Sequence, residues 1–254
     1  MAKAASASTH RLTSFDGVEL AWHTLGQGRP VVLLHGLFSS AEMNWIRFGH
    51  AAKLAEAGFE AIMPDLRAHG DSAKPHDPAA YPPGVLVRDV AAIVEALGLT
   101  DFDLAGFSLG ARTAAGAVVA GLAPRRLVLA GMGLEGLAGW ERRAAFFVDA
   151  IDRFAEVRQG DPAYFAVQFM KTMKIDRTAA RLLLGAVADL SPEDLAAVTM
   201  PALVVCGDKD RDNGSPQSLV DALPNARLQE VPGTHMSSAT EPALGEAVAR
   251  FLTA

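Results

Sequence analysis

The chain has 254 residues, 50% hydrophobic and 20% charged, an ordinary globular composition with length enough for a large core. A net charge of −6 without any basic block argues against nucleic acid and anionic membrane as partners. The single cysteine, Cys206, excludes an intramolecular disulfide and points to a reducing, cytoplasmic setting. Residues 1–9 carry no apolar h-region, and no apolar run is long enough to span a bilayer.

Strand and helix signals alternate along the chain. Residues 11–15 and 19–24 flank Asp16-Gly17, a hairpin turn signal. After a turn at 26–30, the continuous run Val31-Val32-Leu33-Leu34 reads as a strand buried on both faces, ending in His35-Gly36-Leu37-Phe38-Ser39-Ser40. A helix is expected over 46–57, closed by Gly58, and a second buried strand over 59–63. A polar loop from Asp65 and a proline-rich stretch to Pro83 precede a helix over 85–97. Strand 102–106 meets helix 109–121 at Gly106-Phe107-Ser108-Leu109-Gly110, and a short strand follows over 126–130. Gly131, Gly133, Gly136 and Gly139 read as a flexible hinge. Helical faces follow: Trp140, Ala144, Phe147, Ile151 and Phe154; then a helix opened by Asp161-Pro162; then 177–188; then a short one from Ser191. Strand 202–206, helix 215–222, strand 226–231, a loop at 232–235 and helix 242–252 complete the chain. The expectation is one α/β fold with a mostly parallel central sheet covered by helices on both faces. Residues 1–131 and 199–254 form its core, and 132–198 form a helical insertion.

Chemistry in such sheets gathers at the carboxyl ends of strands. Gly-x-Ser-x-Gly between strand and helix is the sequence form of a nucleophile elbow, with Ser108 held at a helix N-terminus. A serine hydroxyl needs a base, which histidine supplies, and a carboxylate to fix the tautomer of that base. Ser108, an aspartate of the 208–212 loop and His235 all follow the ends of separate strands. Of the seven histidines, only His235 lies between the last strand and the last helix. His10, His23, His50 and His76 are expected on the surface. Asp208, Asp210 and Asp212 crowd one loop, and spacing alone leaves the choice among them open.

The order Ser108, Asp210, His235, together with His35-Gly36 after an early strand and the loop Asp65-Leu66-Arg67-Ala68-His69-Gly70-Asp71-Ser72, resembles the α/β-hydrolase fold superfamily, in its serine-nucleophile branch. The resemblance covers nearly the whole chain. It implies Asp210, rather than Asp208, as the acid, the third residue after Gly207. It also implies an oxyanion hole from the backbone N–H groups of Leu37 and Leu109, structural roles for His35 and His69, and a helical cap at the insertion. Two departures stand out. Thr234 precedes the base where the family commonly has glycine, and Ala68 takes a glycine position of the Arg-Gly-x-Gly loop.

Relatives that open epoxides or displace halide carry aspartate at the elbow, so Ser108 favours acyl transfer. The expected activity is hydrolysis of a small or medium hydrophobic carboxylic ester through an acyl-enzyme. The alternatives are a hydrolase of C–C bonds in β-diketone-type (meta-cleavage) substrates, a cofactor-free haloperoxidase or perhydrolase, and a ligand receptor with a slow triad. No cofactor or metal is implied, and the partners expected are a small-molecule substrate and at most a second copy. Phe38, Met132, Phe147, Phe169 and Met236 are the expected substrate-binding residues, with Phe146, Phe165 and Met170 as further candidates. No polar substrate-reading residue can be singled out.

Overall fold

The computed structural model describes residues 7–254. The chain opens with a hairpin, β1 (Ser8–Thr13) and β2 (Glu19–Gly26), turned at Gly17 with φ 90°. Next come β3 (Arg29–Leu34), a π-helical turn at Glu42–Ile46, α1 (His50–Glu56) and β4 (Phe59–Pro64). The expected helix at 46–57 is therefore shorter. Gly49, at φ 79°, breaks it from the turn before. A 3-10 turn at Pro78–Ala80 leads to α2 (Val85–Ala96), β5 (Asp103–Phe107), α3 (Leu109–Val119) and β6 (Leu127–Ala130).

Between β6 and β7 lie α4 (Leu134–Ala138), α5 (Trp140–Asp152), α6 (Tyr164–Thr172) and α7 (Arg177–Leu184), then a 3-10 turn at Asp194–Ala197. Gly131, Gly133 and Gly139 flank α4 and Gly136 lies within it, and a Cβ on Gly133 or Gly136 would run into the Asn213-Gly214 segment, so both are close-approach positions. Asp161 does not cap α6 directly. Its carboxylate accepts from Ala163 N–H at 2.8 Å in a turn, and the helix begins at Tyr164. The end of the chain holds β7 (Ala202–Gly207), α8 (Pro216–Ala222), β8 (Ala226–Val231), the short α9 (His235–Ser238) and α10 (Pro242–Thr253).

The strands form one eight-stranded sheet in the order β1-β2-β4-β3-β5-β6-β7-β8. The pairs β1–β2 and β2–β4 are antiparallel and the other five are parallel. Alternation along β3 sends Val31 and Leu33 to a core with α1 and α10, and Val32 and Leu34 to the opposite core with α2 and α3. Burial on both faces explains why β3 reads as an unbroken apolar run. The chain passes to β4 on one side of β3 and to β5 on the other, so a crevice opens at the carboxyl ends of β3 and β5. Their register pairs Leu34 with Gly106, which sets the loop after His35 beside Ser108.

That closeness depends on glycine. A Cβ on Gly106 would strike the backbone of Gly110, and one on Gly110 would strike the carbonyls of Leu34 and His35. Backbone cannot move aside as a side chain can, so Gly110→Ala is expected to cost more than about 4 kcal/mol in urea denaturation or to prevent folding. A loss below about 1 kcal/mol would show that strand and helix can separate there.

Candidate active site

Ser108 stands between β5 and α3 with φ 52° and ψ −113°, a left-handed conformation strained for a residue with a side chain. Its carbonyl accepts the first hydrogen bond of α3, from Arg112 N–H at 3.0 Å, so Oγ is held at the helix N-terminus. His235 opens α9. Thr234 caps that short helix by accepting from Ser237 N–H, while Ser237 Oγ accepts from Thr234 N–H at 2.8 Å. The departure from Gly-His therefore gives the histidine a fixed helical seat. The ring is also held by Phe107, whose centroid lies 5.1 Å away.

A hydrogen-bond chain joins three segments. His235 Nδ1 lies 2.8 Å from Asp210 Oδ2, and His235 Nε2 lies 3.0 Å from Ser108 Oγ. With Nδ1–H donating to the carboxylate, Nε2 is the acceptor for the serine hydroxyl. All three side chains are buried. Burial raises the Asp210 pKa, but the His235 hydrogen bond, its charge and the Asp212 N–H at 3.0 Å outweigh that and leave the carboxyl below its ordinary value. The Cys206 thiol donates to the same carboxylate at 3.6 Å, and burial pushes that thiol up to about 12. Asp208 is not brought to His235. It is exposed and accepts from Gly233 N–H at 2.8 Å. Asp212 is exposed and lines the neighbouring cavity.

The loop after β3 is held through its amides. Gly36 N–H donates to Asn44 Oδ1 at 3.0 Å and Phe38 N–H to His69 Nε2 at 3.0 Å. Among the described residues, the Leu37 and Leu109 N–H groups have no protein acceptor, and both residues line the cavity. His35 and His69 use one pattern. In each, Nδ1–H donates to a backbone carbonyl (Gly36 and Arg67) while Nε2 accepts from a backbone N–H (Leu66 and Phe38). A second ring proton would leave those N–H donors without acceptors. Burial lowers both pKa values, that of His69 to about 3. Ala68 adopts φ 69°, keeping the left-handed turn that glycine would make easily.

Two histidines expected at the surface are buried. His50 Nε2 donates to Ala239 O at 2.9 Å, and burial lowers its pKa. His23 meets Thr9 and Asp65, and the Asp65 hydrogen bond raises its pKa. His10 and His76 are exposed. The lowered group sets a pH dependence with a definite sign. Above the ordinary value near 6.5, His35, His50 and His69 are neutral folded or unfolded, and their contribution is fully present. As pH falls, the unfolded imidazoles bind protons that the folded ones refuse. Stability should drop by about 1.4 kcal/mol per pH unit for each histidine still neutral, His69 down to about pH 3. His23, shifted the other way, stabilises below 6.5 and loses its contribution as pH rises through its folded value. Urea midpoints at pH 7.5 and pH 5 measure the balance. Equal midpoints would show that the loss from the three rings is absent or is offset by His23.

A cavity of about 1090 Å³ opens over Ser108 and His235. Phe38, Met132, Phe147, Phe169 and Met236 all line it, as do Phe146 and Phe165. Met170 does not, being buried in the core behind α6. Sequence reasoning missed the polar lining, which includes Arg112, Arg142, Arg143, Arg211, Gln168 and Asn213. These come from separate segments, and only the Arg142-Arg143 pair, interrupting the apolar spacing of 140–151, hints at it in the sequence. Aspartates and His235 form one cluster with metal-ligand spacing, Asp210, Asp212 and His235, but two of its members are already joined to each other.

The α/β hydrolase fold family model matches residues 29–127. A non-heme haloperoxidase from Rhodococcus erythropolis is 30% identical over 87% of this chain and 90% of its own. Epoxide hydrolase 2 from Siraitia grosvenorii is 32% identical, over only 41% of this chain and 32% of its own length. Among solved structures, an esterase from Exiguobacterium antarcticum shares the fold with a TM-score of 0.77 at 19% identity, over 96% of this chain and 99% of that one. The chain belongs to the α/β-hydrolase fold family. It is a member of a hydrolase enzyme family whose relatives include epoxide hydrolases and haloperoxidases.

Proposed function

We propose that the protein hydrolyses small to medium carboxylic esters through an acyl-enzyme, with Ser108 as nucleophile, His235 as general base and acid, and Asp210 as the orienting acid. The observation that carries this reading is the hydrogen-bond chain Ser108 Oγ, His235, Asp210 at 3.0 Å and 2.8 Å. In the first step Ser108 Oγ attacks the ester carbonyl carbon as its proton passes to His235 Nε2. Asp210 stabilises the imidazolium. The carbonyl oxygen, now an anion, takes the Leu37 and Leu109 N–H groups, assisted by the N-terminus of α3. Each such donor contributes roughly 3–4 kcal/mol to the transition state. His235 then protonates the departing alcohol, and water attacks the acyl-serine by the same route. The helices between Met132 and Val198 act as the cap that walls the apolar cavity.

Ser108 also weighs against the epoxide hydrolase chemistry named for one relative. Opening an epoxide through an enzyme ester uses a carboxylate nucleophile, and the elbow here offers a hydroxyl. A second reading, perhydrolysis, is favoured by the 30% identity to the non-heme haloperoxidase over most of both chains. The test is a panel of p-nitrophenyl esters, assayed with and without hydrogen peroxide, with intact-mass detection of an acylated Ser108. Ester turnover with a Ser108 adduct is expected, with water favoured over peroxide. Peracid formation outpacing hydrolysis selects the second reading, and absence of both turnover and adduct removes the first.

A further inference from the structure

The protein carries a net charge of −6, yet its cavity is lined by four arginines, Arg112, Arg142, Arg143 and Arg211, against two carboxylates, Glu135 and Asp212. Arg112 is spoken for. It is buried, donates to the carbonyls of Ala188 and Gly136, and lies 3.3 Å from Asp189. The other three differ. Among the described residues none of them has a carboxylate oxygen within 4.0 Å. Arg211 donates to its neighbour's carbonyl, Asp210 O, at 2.7 Å. Half-buried Arg143 donates only to the carbonyl of Asp212, leaving most of its five N–H donors without a protein acceptor. Burial lowers its pKa, and the carboxylates of Asp212 and Asp210, neither in direct contact with it, only partly oppose that.

Arg143 is also tied to the reacting centre by position. Its carbonyl partner belongs to Asp212, whose N–H holds Asp210 Oδ1 at 3.0 Å. One helical turn along α5, Phe147 lies 5.8 Å from the Arg143 guanidinium and packs edge-on against Phe38 at 5.4 Å. Phe38 follows Leu37, the proposed oxyanion donor. An apolar wall of two rings therefore runs from the acyl site to a guanidinium with no carboxylate in direct contact.

We infer that the substrate is an anionic ester: its hydrophobic chain lies along Phe38 and Phe147, and its far end carries a carboxylate bound by Arg143, with Arg211 and Arg142 supplying further positive charge. This rests on the ester-hydrolase reading and narrows its substrate class to half-esters of dicarboxylic acids. A planar guanidinium fits a carboxylate in a two-point contact, and positive charge inside an apolar cavity attracts anions more strongly than the same charge in open water.

The test compares mono-p-nitrophenyl adipate with its neutral methyl ester in wild type, Arg143→Gln, Arg143→Lys and Arg211→Gln. Wild type should favour the anionic ester in kcat/KM by at least about tenfold, and added salt should shrink the preference. Arg143→Gln should lower the anionic-to-neutral ratio about tenfold through KM, with Arg143→Lys restoring part of it. Thermal unfolding checks that each variant folds. A ratio near one in wild type, or one unchanged in both Arg143→Gln and Arg211→Gln, overturns the inference. Calorimetric binding of adipate to Ser108→Ala gives a readout without turnover. Adipate binding lost on adding Arg143→Gln upholds the anion site even if no ester is hydrolysed, in which case only the ester reading falls. Tighter binding of inorganic phosphate than of adipate overturns the carboxylate assignment.

Discussion

Ser108→Ala should lower kcat for ester hydrolysis by about four to six orders of magnitude, and His235→Ala should fall in the same range. The reason lies in the geometry. Ser108 Oγ and His235 Nε2 are 3.0 Å apart, so the proton has a direct path, and removing either end leaves no nucleophile activated at neutral pH. The double variant should be little worse than either single one, because the two groups act as a unit. The remaining rate over water would come from the Leu37 and Leu109 donors and from binding in the cavity. Burst kinetics with a p-nitrophenyl ester separate these cases. His235→Ala retaining near-wild-type turnover would remove it as the base.

Asp210→Asn should reduce kcat by about four orders of magnitude, while Asp208→Asn should cost less than about tenfold. An amide at 210 can donate to His235 Nδ1, which would then carry its proton on Nε2 and could no longer accept from Ser108. Asp208 touches only Gly233 N–H, at 2.8 Å in an exposed turn, so its neutral isostere still accepts that bond. Thermal unfolding of both variants separates lost catalysis from lost folding. A larger loss at 208 than at 210 would reverse the assignment.

The elbow strain and the depressed Asp210 carboxyl have a common origin. β5 and β7 end at one edge of a parallel sheet, and the turns beyond them hold polar groups at fixed points in a buried place. Fixed donors need no reorganisation as charge develops, which is how such a site would accelerate the proposed acyl transfer.

Much of this was legible in the sequence because it is local. Gly-x-Ser-x-Gly is a close-packing requirement written in five residues, and the β-rich run at 31–34 reports burial on both faces. The succession of strands and helices, with Ser108, an aspartate of the 208–212 loop and His235 placed past strand ends, followed from periodicity and from the elbow motif, whereas the order of the strands within the sheet did not. Contacts between distant segments were not legible. His50 and His23 look like surface residues until α10 and β1 cover them, and Met170 looks like a pocket residue until α6 turns it into the core. The break before α1 falls at Gly49 and the late start of α6 follows the Asp161 turn, local features that apolar spacing does not locate. The choice of Asp210 over Asp208 turned on a two-residue difference in one loop, which only the direction of each side chain resolves. The arginine lining came last of all. Arg112, Arg143 and Arg211 are far apart in the chain and carry no shared spacing, so their common cavity exists only once the sheet edge and the helices above it are assembled. Sequence determined the fold and the residues at the strand ends; tertiary structure decided which of them meet and what charge surrounds them, because burial and electrostatic fields depend on distances in space and not along the chain.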